Sequence, residues 1–314
     1  MAFLRGAKDW GSKMSAKQLR ARYTRKFVGM DKYARVTAWF ILVSFLFQII
    51  AAAALGAILL SYPLSGWTGA GIAVLMLFVG TRMRGLNNII HECSHATFSN
   101  VRVDNARIGK ICAALLFNSF SAYRDEHLSH HAHLGDYEHD LDLQGIEGLK
   151  LHEDLSPMVV LRHFVTPLVG RHLPYYLGLN MSAQDGPAFQ WMKAAVLTLV
   201  LLFTAFFPLT GLLFIILPFV LVYSALNYWA DCLDHAGIVA TGDDLTASRN
   251  ILAPGVLRWL FFPRNDCYHL VHHLFPHIPA RHLGASHELL TKDAIYAAQP
   301  NAVRGHNAGG EVLI

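Results

Sequence analysis

The chain has 314 residues, of which 54% are hydrophobic and 15% charged, with a formal net charge of +4. Soluble domains run at roughly 45–50% apolar and 25% charged, so this balance argues against an ordinary water-soluble protein. Residues 1–35 hold ten Lys and Arg against two acids, a charge that lipid head groups suffice to balance, and no nucleic-acid partner is called for.

In chain order, residues 1–35 read as a basic cytoplasmic segment. Residues 36–60, 66–80, 194–207 and 212–230 are almost unbroken apolar sequence. A helix needs roughly 20 such residues to cross about 30 Å of hydrocarbon, which predicts four membrane crossings at about 36–61, 66–88, 188–208 and 211–233. They pair as two hairpins, because the connections at 61–65 and 208–211 are short, marked by Pro or Gly, and free of Lys and Arg. The basic amino terminus is therefore expected in the cytoplasm and both hairpin tips on the opposite side. Two shorter apolar stretches, 111–120 and 158–169, read either as interfacial helices or as core of a cytoplasmic cap. No signal peptide is expected, since the first apolar run is too long for one. Cys93, Cys112, Cys232 and Cys267 show no disulfide-like spacing and are expected to be reduced.

Three histidine clusters carry the chemistry: His91 and His95, then His127, His130 and His131, then His269, His272 and His273. Spacings of i, i+3 and i+4 put the rings of each cluster on one helix face, where they can converge on an ion. Eight imidazole nitrogens exceed the four or six positions of a single ion and predict two metals. At 1.5 Å per residue from Gly66, His91 lies about 37 Å along the second span, about 7 Å past the hydrocarbon. The same count from Leu212 places Asp234 and His235 about 5 Å past it, which makes His235 a candidate ninth ligand rather than a helix-end histidine alone.

Supporting roles are assigned to Asp140, Asp234 and Asp266 among the nearby acids, because a ligating imidazole donates its other N–H to a carboxylate or carbonyl. Asp125, Glu126 and Asp142 are further acids of this kind. Asn227 reads either as a contact to metal-bound water or as a polar link between helices. His133, His139, His277 and His282 adjoin the clusters, whereas His152, His163, His172, His287 and His306 have no partner spacing. Thiolate ligation by Cys93, Cys232 or Cys267 is the lesser reading of those cysteines.

Taken alone, His91-Glu92-Cys93-Ser94-His95 also fits the zinc motif in which Glu92 would be the general base of an intramembrane protease. That reading leaves six clustered histidines unexplained. Redox-competent iron explains all of them, since zinc has no redox chemistry. With its H-x-x-x-H, H-x-x-H-H and H-x-x-H-H boxes in order, the chain resembles the membrane fatty acid desaturase and hydroxylase superfamily, most nearly its acyl-lipid branch. Ala96-Thr97-Phe98-Ser99 after the first box and Leu274-Phe275-Pro276 after the third belong to the same likeness. It covers about 36–290, a membrane desaturase domain with boxes at 91–95, 127–131 and 269–273, and leaves 291–314 as a tail.

The resemblance implies an all-α integral membrane protein with four spanning helices in two hairpins and a cytoplasmic helical cap over a di-iron site. It implies ligands His91, His95, His127, His130, His131, His269, His272 and His273, with His235 as the additional one, and no separate catalytic side chain. The implied reaction is O2-dependent desaturation of an aliphatic, fatty-acyl-type substrate, with electrons from a separate ferredoxin, rubredoxin or cytochrome b5. Hydroxylation of a lipid or small amphipathic substrate at the same site is the main alternative, and a non-catalytic metal-binding membrane protein is the alternative from another class. Both termini and the site are expected in the cytoplasm, in the inner membrane of a bacterium or the endoplasmic reticulum of a eukaryote.

Overall fold

A computed structural model describes residues 2–241 and 243–303, which form helices, turns and loops. Among the described residues there is no β-strand, only an isolated bridge between Tyr33 and Ser99. The helices are α1 (Ala2–Phe27), α2 (Arg35–Leu59), α3 (Gly66–Ser94), α4 (Arg102–Leu115), α5 (Phe120–His133), α6 (Leu141–Gly145), α7 (Pro157–Leu168) and α8 (Leu173–Tyr176). They are followed by α9 (Pro187–Phe206), α10 (Pro208–Gly211), α11 (Ser224–His235), α12 (Gly255–Phe261), α13 (His269–Leu274), α14 (Leu283–Leu290), α15 (Ala294–Ala297) and α16 (Pro300–Val303). Four helices are long and apolar enough to cross a membrane: α2, α3, α9 and the continuous run Pro208–His235. His306 and the rest of 304–314, the end of the expected tail, lie outside the described residues.

The chain divides into two compact units. The first comprises 33–125 and 163–229. In it α3 starts at a capping box, where Ser65 Oγ accepts from Thr68 N at 3.2 Å and Thr68 Oγ1 accepts from Ser65 N at 2.6 Å. Past the expected crossing at about 66–88 the helix runs on through Asn88 and Glu92, whose side chains are buried, to Ser94. Ala96, in the left-handed region at φ 54°, then turns the chain out of the helix. Gly80 lets α3 approach the fourth span closely, because a Cβ there would overlap the side chain of Val222. Leu86, Ile89, Ile90 and Cys93 of α3 pack with Phe98, Ile108 and Cys112. The stretch 111–120 therefore contributes to this core, with Cys112, Ala113 and Ala114 fully buried. The stretch 158–169 differs, leaving Met158, Val160, Leu161, Phe164 and Leu168 of α7 and the following Val169 exposed.

The fourth span is not an α-helix throughout. Leu212–Ile216 and Pro218–Tyr223 form π-helical turns before α11 begins. Pro218 has no N–H to donate into an α-helical ladder, and wider turns accommodate the loss. These turns hold more residues than α turns, so counting 1.5 Å per residue from Leu212 overstates the reach of this helix.

The second unit comprises 1–32, 126–162 and 230–314. Its core joins Leu19 and Phe27 of α1 to Val271, Leu274, Phe275, Leu290 and Tyr296. The Phe27 and Phe275 rings meet edge to face at 4.8 Å. Two charges of the basic segment are engaged within this unit, Arg20 with Asp244 and Arg22 with Asp293 at 2.9 Å.

Candidate metal centre

Within the second unit, α5, α11 and α13 each supply histidines to one point. Ligand nitrogens of His130, His235, His269 and His273 lie within 4.8 Å of one another. The Nε2 atoms form a chain of contacts, His130 to His235 at 3.3 Å, His235 to His269 at 2.8 Å and His269 to His273 at 2.9 Å. Adjacent ligands at right angles around an ion with bonds of about 2.1 Å stand about 3.0 Å apart, so the spacing is that of a coordination sphere.

The opposite ring atoms decide what those nitrogens are. His130 Nδ1 is 2.8 Å from Asp140 Oδ2, and His235 Nδ1 is 2.8 Å from the carbonyl oxygen of Ala247. His269 Nδ1 lies 3.6 Å from Asp234 Oδ2, and His273 Nδ1 lies 3.8 Å from Asp244 Oδ1. A carbonyl or carboxylate oxygen can only accept, so Nδ1 of His130 and of His235 carries the proton and their Nε2 atoms keep the lone pair, whereas the carboxylates near His269 and His273 stand beyond hydrogen-bond distance and favour the same tautomer by their charge alone. Four lone pairs aimed at one buried point repel unless a cation lies between them, which is the donor set that a transition metal takes.

Burial holds His273 well below the usual imidazole range, and the surrounding histidines push it further down. Burial opposes charge on His130 most strongly, but the hydrogen bond to Asp140 and the charges of Asp142, Asp140 and Asp231 together outweigh it and raise that ring. Asp140 is fully buried and caps α6, its other oxygen accepting from Leu143 N at 3.0 Å.

A second set of nitrogens in the same unit comes from His127, His131 and His272. His131 Nε2 lies 3.1 Å from His127 Nε2 and 2.9 Å from His272 Nε2. The second box thus divides by face: His127 and His131, one turn apart, belong to this set, and His130 belongs to the other. The third box divides likewise between His272 and the pair His269 and His273.

In the first unit, His91 and His95 stand at the carboxyl end of α3 with ring centroids 5.4 Å apart and planes nearly perpendicular. Ser94 Oγ donates to the His91 carbonyl at 2.7 Å, and Arg124 Nε donates to the Ser94 carbonyl at 3.1 Å. Burial, with Arg124 adding to it, lowers His95 to about 4, so the ring is a neutral donor at physiological pH. Glu92 is buried, and its carbonyl accepts from Thr97 N and Oγ1, both at 3.0 Å.

The remaining candidates make the following contacts. Asn227 Oδ1 accepts from Arg84 Nη1 at 2.8 Å within the first unit, the helix-linking reading of that residue. The Asp266 carboxylate lies beside Cys267, whose thiol is pushed up to about 12 first by burial and then by that charge. His163 bonds Tyr228 at 2.6 Å, His172 bonds Ser224 at 2.9 Å and His287 bonds Tyr296 at 2.9 Å. His139 bonds Asp136 at 2.8 Å and its ring lies 5.5 Å from that of His133, while His282 contacts the Asp31 carbonyl at 3.0 Å. The His152 ring packs edge-on against Tyr137 at 5.3 Å, and burial lowers the pKa of His277.

Sequence reading missed Arg249. Its guanidinium donates to the carbonyls of Leu233 at 3.0 Å and Ala236 at 2.6 Å, closing the end of α11 that carries His235. No spacing rule links an arginine in a loop to a histidine fourteen positions earlier.

Four helices long and apolar enough to cross a membrane, with histidine nitrogens from α5, α11 and α13 gathered in two sets that could each hold a metal ion, define a histidine-rich class of membrane metal-site protein. More narrowly, the chain belongs to the fatty acid desaturase family, whose model, described as "Fatty acid desaturase", matches residues 65–301. It is 26% identical over 274 residues to a dihydrorhizobitoxine desaturase from Bradyrhizobium elkanii, covering 80% of this chain and 74% of that protein. It is 26% identical to a chloroplastic omega-3 fatty acid desaturase from Sesamum indicum, covering 62% of this chain and 49% of that one. To an oleoyl-12-hydroxylase from Ricinus communis it is 30% identical over 169 residues, 52% of this chain and 41% of the relative. The chain thus spans half or less of the length of the two plant proteins.

Proposed function

We propose that this chain is an O2-dependent desaturase that introduces a double bond into an aliphatic, fatty-acyl-type substrate at a di-iron centre. His130, His235, His269 and His273 hold one iron; His127, His131 and His272 belong to the other, and His91 and His95 of the first box complete the ligand set that the family resemblance implies. The observation that carries this reading is the convergence of the Nε2 atoms of His130, His235, His269 and His273, with the His130 and His235 rings anchored through Nδ1 to oxygen acceptors. Iron supplies the redox chemistry with O2 that a histidine-held zinc lacks. The protein's own part is to keep the rings neutral and fixed in tautomer, with Asp140 and the Ala247 carbonyl as the closest anchors.

A separate ferredoxin, rubredoxin or cytochrome b5 provides electrons, the spans sit in a bilayer, and both termini and the site face the cytoplasm. The functional layout is 1–35, 36–290 and 291–314, as above. A second reading, hydroxylation at the same centre, is favoured by the relative named as an oleoyl-12-hydroxylase. The Bradyrhizobium relative is named for dihydrorhizobitoxine, so that compound belongs beside fatty acids in a substrate panel.

The test is metal analysis of the purified protein together with gas chromatography of lipids from cells expressing wild type and His272→Ala. About two irons per chain and an unsaturated product missing from the variant are expected. One zinc and no new lipid would instead restore the protease reading of Glu92, and a hydroxylated product would select the second reading.

Asp140→Asn tests the anchor. One amide oxygen cannot accept from both Leu143 N and His130 Nδ1, so an NH2 group must face one of these donors. Iron affinity should fall by about 10–100-fold, measured by chelator competition, with helical content unchanged by circular dichroism.

A further inference from the structure

The third histidine box lies on α13, a helix of only six residues. Each helix end leaves up to four backbone groups without an internal partner, so a six-residue helix depends on outside groups for most of its polar backbone. Tyr268 at its amino end provides no side-chain cap. Asn250 provides it instead, its Oδ1 accepting from Leu270 N at 3.0 Å and Val271 N at 3.4 Å. The Asn250 amide nitrogen donates to Tyr296 OH at 2.8 Å and to the Ala302 carbonyl at 3.2 Å, fixing the cap from behind.

The carboxyl end is closed from α1. Arg20 Nε donates to the Leu274 carbonyl at 3.1 Å and Arg20 Nη2 to the His273 carbonyl at 3.3 Å. The same guanidinium pairs with Asp244, and the other oxygen of Asp244 stands 3.8 Å from His273 Nδ1. One planar fork thus touches the backbone of the box and the carboxylate that faces its histidine. Lysine, with a single ammonium, cannot reproduce that geometry. Arg20 lies 254 positions from Leu274 and outside the residues that the family model matches, 65–301.

We propose that Arg20 and Asp244 are positioning residues of the metal centre: α1 fixes the carboxyl end of the third box, and Asp244 sets the ring of His273. The proposal rests on the metal reading above. The amino-terminal helix is then part of the centre's scaffold rather than a lipid-facing extension alone. Arg22 supplies the internal comparison, because it ties α1 to Asp293 at 2.9 Å and donates to no carbonyl of α13.

The experiment uses the purified full-length chain, freed of metal, as wild type, Arg20→Met, Arg20→Lys, Asp244→Asn and Arg22→Met. Hydrogen exchange reads the clamp without metal, through the peptide covering residues 269–278. Cobalt(II) titration reads positioning, through affinity and the visible ligand-field bands. Arg20→Met should speed exchange in that peptide, weaken cobalt binding about 10–100-fold and shift the bands. Arg20→Lys should recover part of each change, and Asp244→Asn should shift the bands. Arg22→Met should behave as wild type in all three. Equal effects from Arg20→Met and Arg22→Met would reduce the role to general docking of α1 and overturn the proposal. So would wild-type exchange and cobalt binding in Arg20→Met. A wild-type chain that takes up no cobalt would overturn the metal reading itself, and the exchange data would still show whether Arg20 holds α13.

Discussion

His235→Ala should lower bound iron from two equivalents to one and bring activity below detection. His235 Nε2 touches both His130 Nε2 at 3.3 Å and His269 Nε2 at 2.8 Å, so it joins the second box to the third. Without it, the remaining three nitrogens leave one quadrant open, and a positive metal site loses a neutral donor that no neighbouring side chain replaces. The loss should exceed the roughly 10–100-fold that follows removal of a supporting partner such as Asp140. The set of His127, His131 and His272 is untouched, which is why one equivalent should remain. Iron determination on the purified variant checks this. Two equivalents and near-normal turnover would make His235 a helix-end histidine interacting only with the dipole.

Asn227→Leu should damage stability and spare the metal. Arg84 is buried on the second span, and Asn227 Oδ1 accepts one of its N–H groups at 2.8 Å. A hydrogen bond to a charged group contributes about 1.5–3 kcal/mol, and a guanidinium in a low-dielectric setting cannot turn to water when a partner is lost. The thermal midpoint in detergent should fall by roughly 3–10 °C, with two irons retained. Asn227→Asp keeps the acceptor and should recover most of that loss. Iron loss at an unchanged midpoint would place Asn227 at metal-bound water instead.

Much of this was legible because it is written locally. The apolar runs have a length fixed by the bilayer, and each histidine box has a helical period, so neither needs knowledge of distant residues. The burial of Asn88 and Glu92 was not legible, because in sequence they look like the polar rim of a membrane helix. The division of the second box between two sets of donors follows from ring direction, which spacing does not contain. The anchors were least visible: Ala247 acts through its backbone carbonyl, and Arg249 and Arg20 act on carbonyls that any residue would offer. A sequence shows which side chains can bind a metal more readily than which backbone atoms hold them still.

The π-helical turns at Leu212–Ile216 and Pro218–Tyr223 give the fourth span a store of length. In a plain α-helix, one deleted residue rotates everything beyond it by about 100° and draws it back about 1.5 Å. Here a deletion between 212 and 223 has another outcome: a wide turn contracts to an ordinary one, and Tyr223 and Asn227 keep their bearing. This span can therefore change its residue count over evolutionary time at nearly constant length, without turning its polar face away from Asn87 and Arg84.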